Sequence, residues 1–198
     1  MKLRCATGNP GKLAEFRMAA RSLGHDWADI QPLENFPSIA ACEEDGATFE
    51  ENAVKKALHY SACCGDFLFA DDSGLEVDAL GGAPGVRSAR FSPEGTDEAN
   101  NRLLLARLAG AENRRARFVC VIALARQGRL EAAFRGSVDG VILEAPRGSG
   151  GFGYDPLFLY PPLGLTFAEL DPHTKMQVSH RGEALRKLFD YCLRLGRG

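Results

Sequence analysis

The run Ala116-Arg117-Phe118-Val119-Cys120-Val121-Ile122-Ala123-Leu124-Ala125 is apolar except for Arg117. A strand wetted on one face alternates apolar and polar residues, so an almost unbroken apolar run reads as a strand buried on both faces. Beyond it, Gln127-Gly128 has the form of a turn leading into a strand over Leu130–Phe134. A further strand is expected over Val138–Leu143, then a glycine-rich loop at 148–155 and a short strand over Leu157–Leu159. Arg181–Leu195 closes the chain as an amphipathic helix through Leu185, Leu188, Phe189 and Cys192.

Upstream, Glu98–Ala109 is a leucine-rich helix stopped by Gly110, and Phe67–Ala70 is a buried strand running into Asp71-Asp72-Ser73-Gly74. Leu75–Leu80 is expected as another strand and Gly81–Gly85 as a loop. Thr48 and Glu51 have the spacing of a capping box, each satisfying a backbone N–H of the other. The helix they open carries Phe49, Ala53, Ala57 and Leu58 inward and ends by Gly65. Residues 34–47 form an acidic loop. At the start, Lys2–Ala6 is a strand, Thr7–Lys12 a Gly/Pro loop and Gly11–Leu23 a helix with Leu13, Phe16 and Ala20 on one face and Gly24 as its stop. Strands alternating with helices imply an α/β layered fold.

The chain has 198 residues, one domain's length, and can bury about 70% of its unfolded surface without disulfides or a structural metal. With 24 basic and 26 acidic residues it has no broad charge footprint for nucleic acid or an anionic membrane. No apolar run nears the ~18 residues of a membrane helix, and the first residues lack the apolar stretch of a signal peptide. A soluble cytoplasmic protein is expected. Six cysteines form no Cys-x-x-Cys pair. His59 and Cys63 lie one helical turn apart but have no second ligand pair, so the thiols read as buried or half-buried groups in a reducing compartment.

Four stretches carry chemistry. Thr7-Gly8-Asn9-Pro10-Gly11-Lys12 joins a strand to a helix, where free N–H groups, the helix dipole and Lys12 favour an anion. It is not a Walker A loop, because only two residues separate its glycines and Leu13 follows the lysine; a plain strand-to-helix turn would look similar. Acidic residues cluster at Glu43-Glu44-Asp45, Glu50-Glu51 and Asp71-Asp72. Glu50 and Glu51 suit the positive end of their helix, but Asp72 after an apolar strand needs a partner. A hard divalent cation held by one or two carboxylates and substrate phosphates, as Mg²⁺ is, would supply it.

Gly148-Ser149-Gly150-Gly151-Phe152-Gly153-Tyr154-Asp155 contains G-x-G-x-x-G, yet Pro156 and a following strand exclude the helix that the dinucleotide fingerprint requires. A flexible loop offering two aromatics and a carboxylate remains, suited to a planar base, or to no ligand as a hairpin loop. Finally, Ser179 is placed to cap the last helix, putting His180 and Arg181 at its positive end, where Arg fits if an anion or a carbonyl-rich ligand is present. Otherwise both side chains turn to solvent. No Ser-His-Asp or Cys-His arrangement stands out.

These segments resemble the inosine triphosphate pyrophosphatase family, hydrolases of non-standard purine nucleoside triphosphates. The matching stretches are ATGNPGK at 6–12, FEENAVKKA at 49–57, ADDSGLEVDALGGAPGVRSARF at 70–91, GGFGYDPLF at 150–158 and SHRGEAL at 179–185. The resemblance implies Mg²⁺-dependent hydrolysis of inosine, deoxyinosine and xanthosine triphosphates to monophosphate and pyrophosphate, keeping them out of DNA and RNA. It implies Asp72 as catalytic carboxylate and metal ligand, and Glu44 as a second metal-associated acid. Thr7, Gly8, Asn9, Pro10, Gly11, Lys12, Lys56 and Ser73 would line the triphosphate. Phe152, Gly153, Tyr154, Asp155, Lys175, His180 and Arg181 would hold the base and sugar. The fold implied is a three-layer α/β/α arrangement on a long mixed sheet, one domain over residues 1–198 with two lobes around a central cleft, as a homodimer. A pyrophosphatase for other nucleotides and a non-catalytic nucleotide-binding module are the rival functions.

Overall fold

The computed structural model describes residues 1–196. Seven strands form one mixed sheet, in the order β2-β1-β3-β4-β5-β6-β7. β1 (Lys2–Cys5) runs parallel to both β2 (Asp29–Pro32) and β3 (Phe67–Val77), and every later pairing is antiparallel. The expected double-faced strand is β4 (Arg115–Arg126), at the centre, with Phe118 to Ala125 all buried.

Helices cover both faces of the sheet. On one face, α1 (Pro10–Ser22) and α5 (His180–Leu195) bury Phe16, Ala19, Leu185, Leu188 and Phe189 against Leu3, Phe69, Cys120, Ile122 and Leu124. On the other, α2 (Phe49–Ser61) lays Phe49, Ala53, Ala57 and Tyr60 against Leu68, Ala70, Val119, Val121 and Ala123. The layered α/β/α expectation is met. A third cluster builds the second lobe, where α3 (Asp97–Arg107) contributes Leu104 and the far ends of β3, β4 and β5 (Arg129–Ile142) contribute Leu75, Phe118 and Ile142. It also includes Phe158 of β6 (Phe158–Tyr160) and Phe167, just beyond β7 (Leu165–Thr166).

The helix ends follow from local chemistry. Asn9 caps α1 by accepting the N–H of Lys12 at 3.1 Å, with Pro10 in the first turn. Thr48 caps α2 through the N–H of Glu51 at 3.1 Å, but the box is only half formed. Glu51 reaches the N–H of Ala47 at 2.7 Å instead of that of Thr48. Ser179 caps α5 through the N–H of Gly182.

Several expectations need correction. Asp71-Asp72-Ser73-Gly74 does not end a strand, because those residues pair with Ile122 to Val119, and β3 continues unbroken to Val77. Asp78–Leu80 is a short 3₁₀ turn, not part of a strand. The expected strands over 130–134 and 138–143 are one, β5. At Gly136, within it, a Cβ would lie 2.0 Å from the carbonyl of His180 and 2.7 Å from the amide of Ala184, so the glycine marks the close approach of α5, not a break. β2 and α4 (Pro172–Val178) were not expected. Cys63 is exposed, in the turn after α2, whereas Cys5, Cys120 and Cys192 are buried and all six thiols are free. No helix among the described residues is long and apolar enough to cross a membrane.

Candidate active site

Between the lobes lies a cleft of about 400 Å³. Its walls include Thr7, Gly8, Asn9, Lys12, Glu44, Lys56, Asp72, Ser73, Phe152, Gly153, Tyr154, Asp155, Lys175, His180 and Arg181. Residues scattered over 175 positions are thus gathered into one site (from Thr7 to Arg181, counting both ends). Pro10 and Gly11 do not line it. Pro10 opens α1, and Gly11 lies where a Cβ would touch the Phe152 ring at 3.4 Å.

The period of two along β3 decides what the paired aspartates do. Asp71 shares the face of Phe69 and meets α1 and α5, with Lys12 Nζ 2.8 Å and Arg181 Nη2 3.7 Å away. Asp72 shares the face of Ala70 and meets α2, where Asn52 Nδ2 donates to its Oδ2 at 3.1 Å and Lys56 Nζ lies 3.8 Å from Oδ1. Burial would raise the Asp71 carboxyl, but Lys12, Arg181 and Lys56 outweigh it and hold the group down to about 2. For Asp72 burial wins over the pull of Lys56 and Asn52, and its carboxyl stands above the usual aspartate range, with Glu44 adding to the rise. Neighbouring carboxylates thus shift in opposite directions, one lowered by its cations and the other raised by burial.

On the Asp71 side, charges of alternating sign run from Lys12 through Asp71, Arg181, Glu15 and Lys175 to Asp155. Lys175 Nζ lies 2.9 Å from Glu15 and 2.7 Å from Asp155, and Arg181 Nη1 pairs with Glu15 while Nη2 donates to Ser73 Oγ at 2.8 Å. Arg181 is 3% exposed, so neither it nor His180 turns to solvent. Its place at the positive end of α5 is offset by the chain's own carboxylates. The His180 ring stacks on Phe118 at 4.8 Å, and burial together with Arg181 pushes its protonation well below the usual histidine range, leaving a neutral imidazole. Two buried polar atoms here have no protein partner, His180 Nδ1 and Arg181 Nε.

The glycine-rich loop opens no helix, as expected, but it is pinned. Asp97 of α3 accepts the Gly153 N–H at 2.7 Å, and Asn101 donates to the Gly153 carbonyl at 3.0 Å. Tyr154 is buried and donates its hydroxyl to the Ser88 carbonyl, and Asp155 is turned onto Lys175 and the Phe152 N–H. Only Phe152 keeps a half-buried ring, with Lys175 and Arg181 at 5.1 and 5.6 Å from its centre.

Across the cleft, Lys56 Nζ joins Glu44 at 2.7 Å. No group of three His, Cys, Asp or Glu side chains among the described residues forms a ready metal cage. Glu44 and Asp72, two hard oxygen donors flanking one lysine, nonetheless match the habit of Mg²⁺, which takes one or two carboxylates and fills its shell with water and phosphate.

Glu15, Asn52 and Arg90 escaped the sequence reading. Arg90 donates to the Glu44 carbonyl at 3.0 Å. Glu15 lies on α1, and its partners are 160 and 166 positions away. α4, which carries Lys175, did leave a signal: Asp171 accepts the N–H groups of His173 and Thr174, and Pro172 follows it at the first helical position.

Asp71 gives a pH test. Its carboxyl is lower in the folded protein than the ~3.9 of an unfolded chain, so its contribution is whole above that value and fades as pH falls toward about 2. The lowering is worth roughly 2–3 kcal/mol. In urea unfolding, the stability gap between the unaltered protein and Asp71→Asn is expected to be widest near neutrality and to narrow through that acid window. A gap independent of pH would mean that the pairing contributes nothing.

A family model described as the Ham1 family matches residues 3–191. The chain is 52% identical over 189 residues to a dITP/XTP pyrophosphatase of an Exiguobacterium species, covering 95% of each chain. It is 50% identical to that of Thermus thermophilus, covering 96% of this chain and 91% of the other. The solved Ham1 protein of Staphylococcus aureus superposes with a TM-score of 0.85 at 37% identity, covering 97% of this chain and 98% of the other.

Proposed function

The chain belongs to the Ham1 family, and from that premise we propose that it hydrolyses non-standard purine nucleoside triphosphates, those of inosine, deoxyinosine and xanthosine, to monophosphate and pyrophosphate with Mg²⁺. The observation that carries the reading is the division of the cleft. An acid-and-lysine end, Glu44, Lys56 and Asp72, faces an aromatic and donor-rich end, Phe152, Lys175, His180 and Arg181, with Lys12 beside Arg181 at Asp71.

Lys12, Lys56 and the N–H groups opening α1 hold the phosphates, offsetting their charge. Asp72, with its raised carboxyl, takes a proton from the attacking water as the bond between the α- and β-phosphates breaks and pyrophosphate leaves with the bonding electrons. Glu44 and Asp72 are the residues to hold Mg²⁺, which when bound neutralises charge developing on the phosphate oxygens.

Phe152 offers a stacking face for the base. Of the three Lys175 donors, two are used by Glu15 and Asp155, which leaves one; Arg181 Nε also lacks a partner. Both groups can only donate. They match the oxygen at position 6 of hypoxanthine and xanthine and oppose the amino group of adenine.

Pyrophosphate release from a panel of triphosphates, with chromatography of the products, tests this. The expected result is monophosphate plus pyrophosphate, with kcat/KM for inosine triphosphate at least about 100-fold above that for adenosine triphosphate. Diphosphate plus free phosphate would reverse the register of the triphosphate. Equal use of the two nucleotides would remove the base-reading role.

A further inference from the structure

Asn52 is a polar residue in the interior of α2, 1% exposed, and both ends of its amide are engaged. Its Oδ1 accepts the N–H of Gly46 at 2.8 Å and its Nδ2 donates to Asp72 Oδ2 at 3.1 Å. The orientation is fixed by chemistry, since a backbone N–H can only donate and so must face the amide oxygen. Asn is a poor helix-interior residue because its amide competes for backbone groups. Here it binds backbone outside its own helix.

Gly46 closes the acidic loop that carries Glu44. A Cβ at Gly46 would lie 2.6 Å from Asn52 Oδ1 and 2.8 Å from Glu51 Cβ, so glycine there is what admits the amide. After the 3₁₀ turn Phe36–Ser38 the loop has no regular structure, and side chains hold its backbone in place. Tyr60 Oη accepts the Cys42 N–H at 3.1 Å, Glu51 accepts that of Ala47, and Arg90 holds the Glu44 carbonyl. Among these contacts, only that of Asn52 also reaches Asp72. Lys56, one helical turn further on the same face, joins Glu44 to Asp72 through charge.

We propose that Asn52 is a positioning residue that registers the Glu44 loop against Asp72, setting the spacing of the two carboxylates that receive the metal ion. It touches neither substrate nor metal. The inference rests on the functional reading above for the identity of the two metal-associated acids, and partners of metal-binding carboxylates typically change metal affinity or activity 10–100-fold when lost.

The test uses the full-length protein, Asn52→Ala and Gly46→Ala, the second leaving the amide in place but pushing the loop away from it. Mn²⁺, a spectroscopic substitute for Mg²⁺, is titrated by electron paramagnetic resonance without nucleotide. kcat and KM for inosine triphosphate are measured separately, and circular dichroism reports the fold. Expected are a Mn²⁺ dissociation constant raised by about 10–100-fold in both variants, a lower kcat, and a nucleotide KM held within about threefold. Mn²⁺ affinity within about twofold of the unaltered protein in a folded variant overturns the proposal, as does a KM that rises in step with an unchanged metal affinity. If Asn52→Ala fails to fold, Gly46→Ala decides by the same criteria; if neither folds, the role is structural and the proposal falls. Failure of the functional reading is seen separately, as absence of turnover by the unaltered protein, because the Mn²⁺ titration needs no turnover.

Discussion

Asp72→Asn is expected to lower turnover of inosine triphosphate by about 10²–10⁴-fold while leaving the protein folded. The substitution preserves shape in the middle of β3, where Asp72 lies opposite Val121, and retains a carbonyl oxygen for Asn52. It removes the charge and the proton-accepting carboxylate. The stability change has a defined sign. A carboxyl whose folded value is raised above the unfolded one favours the fold in its neutral form, and that contribution is lost as pH rises through the folded value. At neutral pH the buried Asp72 charge therefore opposes folding, and Asp72→Asn should unfold at the same temperature or higher. Steady-state kinetics and a thermal melt read both quantities. A variant keeping more than about a tenth of normal turnover would contradict the proton-acceptor role, whereas loss of the fold would make Asp72 a structural residue.

Arg181→Ala is expected to cost about 3–5 kcal/mol of stability, because a buried guanidinium that bridges two carboxylates is lost and their charge is left under-compensated. Half-buried Glu15 keeps Lys175 and buried Asp71 keeps Lys12, but each carboxylate loses one of its two cations, and Ser73 loses its donor. At about 2–4 °C of Tm per kcal/mol for a chain of this size, the melt should fall by roughly 6–20 °C. Adding Glu15→Gln removes one under-compensated charge and should recover part of the loss. A double variant as unstable as Arg181→Ala alone would show that Glu15 is not what Arg181 neutralises. Base selectivity is better read with Arg181→Lys, which keeps a charge beside Glu15 but lacks the planar set of donors.

Pinning of the glycine-rich loop alters the picture of base binding. Phe152, Tyr154 and Asp155 read in sequence as a mobile trio facing a ligand. In the folded chain Tyr154 and Asp155 spend their polar atoms on Ser88 and Lys175, while Asp97 and Asn101 grip Gly153. Phe152 is thus held at a set height beneath Lys175 and Arg181, a preorganised arrangement that loses little freedom on binding.

The sequence by itself determined what depends on near neighbours. The apolar run at 116–125 became the central strand, the stripe of Leu185, Leu188, Phe189 and Cys192 the buried face of α5, and Thr48 and Ser179 the caps of their helices. Periodicity and capping act over three or four residues, so they can be read along the chain. The residue types of the cleft were legible too, because a Gly/Pro loop with a lysine and a pair of aspartates after an apolar strand are unusual locally. Tertiary structure alone decided how far β3 runs, since its second half, Asp72 to Val77, exists by pairing with Val121 to Ala116 of β4, 39 to 49 positions away. That pairing fixed which face each aspartate takes, and therefore why cations hold Asp71 low while burial raises Asp72. Glu15 and Asn52 stayed hidden for the same reason. Each is an ordinary helical residue until chain folding brings Lys175 and Arg181, or Gly46 and Asp72, against it, and a hydrogen bond between distant positions leaves no periodic trace.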